Sequence, residues 1–302
     1  MRLYRGLAIA TLALTFVVVV AGAYVRLSDA GLGCPDWPLC YGRPLPAEIA
    51  DGDALAKAWK EMGHRYLAGA LGLFILALTV QGWRTGKAQW LATSLLGLVA
   101  FQATLGMWTV TMLLKPAIVT AHLVGGMAIL ALLTWLALSL SYERNAARLH
   151  IPAAIALLAV AVQIVLGGWV SANYAALACP DLPGCLGQAI PPMNFADAFH
   201  VLRELGRTDD GELLPREALT AIHWTHRMFA FLVVAAVGWA AVASSTALPR
   251  LSLTVIVILA TQLSLGIANV AAGLPLWLAA AHNAGAALLL ASLVVLNFFS
   301  SR

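Results

Sequence analysis

Eight stretches of about 20 mostly apolar residues divide this chain, and each is long enough to cross a lipid bilayer as a helix. They fall at 7–25, 64–83, 90–110, 118–140, 151–172, 223–243, 251–271 and 276–299. The composition agrees: 61% of the 302 residues are hydrophobic and 11% are charged, whereas soluble domains carry about 25% charge. With a mean hydropathy of +0.86, a water-soluble globular fold, a disordered chain and a solenoid with a polar outer surface are all excluded. The fold class this implies is an all-α membrane protein embedded in a lipid bilayer. The net charge of +4 comes with no basic patch interleaved with aromatics, so nucleic acid is not an expected partner. Arg2 and Arg5 before the first stretch resemble the start of a signal peptide. That stretch is longer than a usual signal core, however, and Ala21-Gly22-Ala23 is a weak cleavage match, so it reads as a helix.

The few charges set an orientation. With eight spans both termini share one side, which holds Arg2, Arg5, Arg84, Lys87, Arg144, Arg148, Arg250 and Arg302 against the single acid Glu143. The other 13 of the 14 acids sit in or beside two long loops, 27–63 and 173–222. Short basic connections mark the cytoplasmic face. The expectation is therefore a cell (inner) membrane protein with cytoplasmic termini and its long loops on the outer, periplasmic side.

The chain also repeats itself. Residues 22–40, GAYVRLSDAGLGCPDWPLC, align without gaps on residues 167–185, GGWVSANYAALACPDLPGC, at an offset of 145. His64-Arg65 matches His226-Arg227 at 162. Gln102…Leu105-Gly106 matches Gln262…Leu265-Gly266, and His122…Gly125 matches His282…Gly285, both at 160. Four helices per half keep the halves in one orientation. The reading is two parallel four-helix-bundle repeats, 1–145 and 146–302, related by a pseudo-twofold axis along the membrane normal. Chance likeness between Leu/Ala-rich helices does not easily produce matched Cys, Pro, Asp, His and Arg.

Four groups of residues carry candidate chemistry. Cys34/Cys40 and Cys179/Cys185 lie in the outer loops, where an oxidising compartment favours two local disulfides. Such pairs either staple the loops or handle redox equivalents. Zinc is disfavoured, because the neighbouring residues supply no Cys/His set. His150 and His200 read as surface residues. His64, His122, His223, His226 and His282 fall near the outer ends of helices, where an ionisable side chain is costly and suggests function. Two histidines at one depth on two helices of a bundle suit axial ligation of haem, with an interhelical hydrogen bond as the plainer reading. Copper lacks a Met or Cys partner here. Gly125-Gly126 and Gly285, one turn past their histidines, are placed to admit a porphyrin edge or close helix packing. Arg65 and Arg227 are placed to pair with haem propionates. Gln102, Gln163 and Gln262, each separated by two residues from a Leu-Gly step, read as interhelical hydrogen-bonding groups. Glu61 precedes His64 by three residues, where the second half has His223. It is either a helix-start carboxylate favoured by the dipole or a proton-handling carboxylate beside whatever His64 binds. No P-loop, dinucleotide fingerprint or serine triad is found.

The segment VRLSDAGLGCPDWPLC ending at Cys40, followed by Glu61-Met62-Gly63-His64-Arg65, resembles the haem A synthase family, and the likeness extends through His122, His226-Arg227 and His282. That resemblance implies an eight-helix, haem-dependent oxidoreductase of the cell membrane that oxidises the C8 methyl of haem O to a formyl group. It implies a haem b cofactor ligated by His226 and His282 in the second half. His64 and His122 would clamp haem O in the first half, with Glu61 as catalytic carboxylate. It also implies delivery from a haem O synthase and use of the product by a haem–copper oxidase; homo-oligomerisation is left open. His223 is an alternative ligand to His226, which is preferred because it carries the arginine and matches His64. Within that family the first cysteine pair is linked to activity and the second is the more structural. Rival readings are a b-type cytochrome for electron transfer, which leaves Glu61 unexplained, and a quinone-linked thiol oxidoreductase, which would favour a CxxC pair. A transporter is a third, though broken helices are not evident.

Overall fold

The computed structural model of the chain describes residues 1–46, 51–143 and 149–300. Arg144, Arg148 and Arg302, used in the orientation argument, lie outside the described residues. The elements are α1 (Arg2–Leu27), α2 (Gly52–Thr85), α3 (Gln89–Thr111), α4 (Pro116–Ser139), α5 (Ile151–Ala172), the short α6 (Phe195–Ala198), α7 (Arg216–Ser244), α8 (Pro249–Ala271) and α9 (Leu276–Ser300). No strand occurs among the described residues, only isolated bridges such as Cys40 with Arg43 and Cys185 with Gln188.

Every helix but α6 is long and apolar enough to span a bilayer, eight in all. The shortest, α5 with 22 residues, reaches about 33 Å at 1.5 Å per residue, against a hydrocarbon core of about 30 Å. At most 39% of any span's apolar window is buried inside the protein. Leu73, Phe231, Leu253 and Val242 stand at 65–74% exposed, and in water each would forgo about 1.5–3 kcal/mol of burial. The protein is a multi-pass membrane protein whose outer surface suits lipid.

Two helices start earlier than hydropathy suggests. α2 begins at Gly52 rather than 64, and α7 at Arg216 rather than 223. The added turns of α2 are polar but made of good helix formers. They are started by Asp51, whose side chain accepts from the Asp53 amide at 3.0 Å, and braced by Lys57–Asp53 at 3.1 Å. Hydropathy cannot see such a segment. One consequence is a correction: Glu61 lies well past the first turn of α2, out of reach of the N-terminal dipole, so it is not a helix-start carboxylate.

Around the first half, α1 packs on α2, α2 on α3, α3 on α4 and α4 on α1. The second half repeats the ring with α5, α7, α8 and α9. Between halves, α1 meets α9, α4 meets α5 and α4 meets α9. Val19, Met127 and Leu130 of the first half share one apolar cluster with Val160, Val237, Leu259 and Leu293 of the second. At the outer end of this seam Arg26 donates to the Ser171 carbonyl at 2.7 Å. Its guanidinium lies 3.9 Å above the Tyr174 ring, and the Tyr174 hydroxyl donates to Asp29 at 3.0 Å. Residues 26 and 171, like 29 and 174, are separated by 145, the offset of the repeat itself.

Candidate functional site

The two cysteine loops are built to one plan. Cys34 is bonded to Cys40 and Cys179 to Cys185. Inside the first ring Asp36 accepts from the Tyr41 and Gly42 amides at 2.6 and 2.8 Å. Inside the second Asp181 accepts from Leu186 and Gly187 at 2.6 and 2.7 Å. Tyr41 and Leu186 sit at φ 54° and 56°, followed by Gly42 and Gly187 at 73° and 72°, which turn the amides inward. The Gly187 amide, then that of Leu186, holds the Asp181 carboxyl below the ordinary range. At Asp36 slight desolvation pushes upward, but the Gly42 and Tyr41 amides outweigh it and the net shift is down. Gly33 lets the first loop press on α2, since a Cβ there would stand 2.6 Å from the Lys57 carbonyl carbon.

The early turns of α2 and α7 tie these loops to the membrane helices. Glu61, 5% exposed, accepts from the Cys34 amide at 2.9 Å and from Arg65 at 2.5 Å. Arg65 also donates to the carbonyls of Asp36 and Leu39, at 2.9 and 2.7 Å, within the disulfide ring. In the second half His223 stands in for Glu61: the Cys179 amide meets its Nδ1 at 3.2 Å and Arg227 Nε meets its Nε2 at 3.1 Å. Arg227 donates further to the carbonyls of Asp181 and Gly184, at 2.9 and 3.0 Å, and to that of Cys179. A carboxylate accepts from two donors at once, whereas a neutral imidazole has a single acceptor nitrogen. The second tether is therefore the weaker one. Both nitrogens of His223 face these donors, which turns it away from a ligand role. Both arginines are engaged by loop carbonyls.

Below the loops lie the other four histidines. The His64 and His122 rings, on α2 and α4, have centroids 6.5 Å apart and planes at 88°. Each histidine is seated against a glycine of the adjacent helix. A Cβ at Gly22 would lie 2.8 Å from Cε1 of His64, and one at Gly106 3.2 Å from Cε1 of His122. The same construction recurs for Gly167 with His226 and Gly266 with His282, at 3.1 Å each. These four seats are what the sequence reading missed. All four glycines align in the repeat, but they served there only as markers of similarity. At Gly125 and Gly285 the structure shows the close helix packing that was one of the two expectations: a Cβ at either would collide with the side-chain oxygen of Gln102 or Gln262 on the neighbouring helix. The glutamines bridge helices as expected: Gln102 donates to the His122 carbonyl, Gln163 to the His226 carbonyl at 3.0 Å, and Gln262 lies 3.3 Å from His282 Nε2.

The donor set limits what can bind. Among the described residues no three His, Cys, Asp or Glu side chains are grouped to hold a metal ion by themselves. Two facing imidazoles 6.5 Å apart leave room for one metal atom with two nitrogen bonds of about 2 Å. They suit an iron whose remaining ligands come from a porphyrin. Nδ1 of His64, His122 and His282 is buried without a hydrogen-bond partner, whereas the His226 and His282 rings each meet a glutamine of the neighbouring helix, as the plainer reading expects.

Comparison with known proteins agrees with this geometry. The model of a family described as cytochrome oxidase assembly protein (COX15-CtaA) matches residues 5–294. A protein of Shewanella oneidensis named Heme A synthase is 42% identical over 310 residues, covering 96% of this chain and 94% of that one. A Heme A synthase of Methylobacterium radiotolerans is 32% identical over 316 residues, 90% of this chain and 83% of that one. A Protoheme IX farnesyltransferase of Haloarcula marismortui is 37% identical over 131 residues, 42% of this chain and 27% of that protein.

Proposed function

The chain belongs to the cytochrome oxidase assembly protein (COX15-CtaA) family, and we propose that it is a haem A synthase, an oxidoreductase that converts the C8 methyl of haem O to the formyl of haem A. The observation that carries this reading is the duplicated pair of glycine-seated histidines with a carboxylate, Glu61, beside only one of them.

In this reading residues 1–145 receive the substrate haem between His64 and His122, and residues 146–302 keep a haem b between His226 and His282. The helix pairing, with α1 on α9 matching α5 on α4, supports two halves about a pseudo-twofold axis. A haem held by His226 and His282 would supply a redox-active iron that relays the electrons of the oxidation to an external acceptor. Everything else falls to the chain. The glycine seats fix the imidazoles. The apolar bundle excludes water. The loop tether fixes the carboxylate of Glu61, whose two oxygens are oriented by Cys34 and Arg65. Glu61 and His64 share one face of α2, so a proton leaving the substrate methyl is taken at a Glu61 oxygen. Arg65 and Arg227 are the rim cations that propionates would share with the loop carbonyls. His223, in place of Glu61, leaves the second half without an acid-base group at that position.

Outer loops on the periplasmic side of the cell membrane, with cytoplasmic termini, follow from the charge placement. Supply by a haem O synthase and use by a haem–copper oxidase follow from the chemistry of substrate and product. The match to a relative named for farnesyl transfer to protohaem supports the first link. The test is co-expression with a haem O synthase and chromatography of the extracted haems: haem A should accumulate. Haem O persisting unconverted beside a folded protein would reject the reading.

A further inference from the structure

The cation at the outer end of the seam stands one turn above a histidine seat. Arg26 follows Gly22 by four residues, so both lie on one face of α1, and Gly22 is the seat of His64. Side chains on a helix lean back over the preceding turn. From the last turn of α1, Arg26 therefore leans toward the level of His64, and its side chain is 12% exposed. The guanidinium is held by the second half. Its Nη2 donates to the Ser171 carbonyl at 2.7 Å, and its carbon lies 3.9 Å above the Tyr174 ring. Asp29, 3.8 Å from Nη1, is beyond hydrogen-bond reach and accepts from the Tyr174 hydroxyl instead. One donor is left over: Nε, the guanidinium nitrogen nearest α1, is buried with no partner. A buried donor on a cation is costly without an acceptor, which marks a place for an anionic group. Arg65, the other cation at this rim, already gives Nη1 to the Asp36 and Leu39 carbonyls and Nη2 to Glu61.

We propose that Arg26 is a binding residue for the substrate haem, with Nε donating to one of its propionates at the outer rim of the first-half pocket. This rests on the reading that His64 and His122 receive haem O. A propionate is a carboxylate on a short arm, and a guanidinium–carboxylate contact shielded from water is among the stronger hydrogen bonds a protein can offer. Ser171 and Tyr174 fix the guanidinium before a haem arrives, so little side-chain freedom is lost on binding. At the offset of 145 the second half has Ser171 in place of Arg26, and it supplies a carbonyl where the first half supplies a cation. The second half thus presents a binding group that the first half uses. The contact orients the substrate by its propionate edge and favours a haem whose carboxylates are free.

The experiment uses protein purified from cells that lack a haem O synthase, titrated with haem O or with haem O whose propionates are methyl esters. Binding is followed by the Soret difference spectrum. Wild type should bind haem O more tightly than the diester. Arg26→Gln should weaken haem O about 10–100-fold, the effect of losing one hydrogen bond between charged groups, and leave the diester near its wild-type affinity. Arg26→Lys keeps the charge without the Nε–H and should fall between. Wild-type affinity for haem O in Arg26→Gln overturns the proposal. Equal losses for haem O and the diester overturn it too, because they mark Arg26 as a brace of the seam alone. A wild type that binds both haems equally overturns it without any substitution. His64→Ala should bind no haem O. If it binds haem O as wild type does, the assignment of the first half to the substrate has failed, which differs from a silent Arg26→Gln beside a His64→Ala that binds none.

Discussion

Replacing Gly22 by alanine separates two effects that usually travel together. In the middle of a helix such as α1 the change is favourable by up to about 1 kcal/mol in propensity. The new methyl, however, would stand 2.8 Å from Cε1 of His64, where carbon atoms rest at about 3.5–4.0 Å. The flexible ring must retreat by about 0.7 Å or more. Ligand distances at a metal are held to about 0.2 Å, and a displacement of about 1 Å at a reacting centre costs about 100-fold. Haem A output from Gly22→Ala, in cells making haem O, should fall about 10–100-fold while the purified protein melts no lower than wild type. Gly167→Ala, starting from 3.1 Å to His226, needs a smaller retreat and should weaken haem b retention less. Gly238→Ala, whose Cβ meets nothing within 4 Å, is the control and should change neither. Undiminished haem A from Gly22→Ala would refute the seat as a determinant of ligand geometry.

Other perturbations probe the loop and its tether. Glu61→Gln removes the charge but keeps an acceptor for the Cys34 amide, so haem A formation should stop while haem b content, read by its absorbance, stays near wild type. Cys34→Ser with Cys40→Ser removes a cross-link worth about 2 kcal/mol by loop-closure entropy. It should expose the first outer loop to added protease and lower activity more than the matching change at Cys179 and Cys185. The Asp36 and Asp181 carboxyls are depressed in the folded loops. Their stabilisation is complete above the ordinary carboxylate range, near 3.9, and disappears as pH falls through the lower folded values. The rate at which a phosphine reduces the two disulfides, taken relative to that of an unstructured disulfide peptide at the same pH, should therefore stay even from neutrality down to about pH 4 and rise below it.

The eight spans were legible in the sequence because they rest on a local signal, apolar length; the sequence repeat and the histidines drew notice in the same way, as a fixed offset and as costly side chains in apolar runs. What hydropathy hid was the polar helix of residues 52–63, since a solvated helix and a loop have the same average. That one omission let a helix-start carboxylate stand as one of the two readings of Glu61. The glycine seats were visible as aligned residues, but their purpose depends on which helix lies beside which, and no spacing within one helix reveals that. The Arg26–Tyr174 contact needed both the repeat and the packing.

The central claim is that the two histidine pairs have different tenants. It is tested most directly by the haem content of four alanine variants purified from cells that make both haem b and haem O. His226→Ala and His282→Ala should lose the haem b spectrum. His64→Ala and His122→Ala should keep haem b and make no haem A. Loss of haem b from the His64 or His122 variant, with haem b retained in the His226 and His282 variants, would contradict the account.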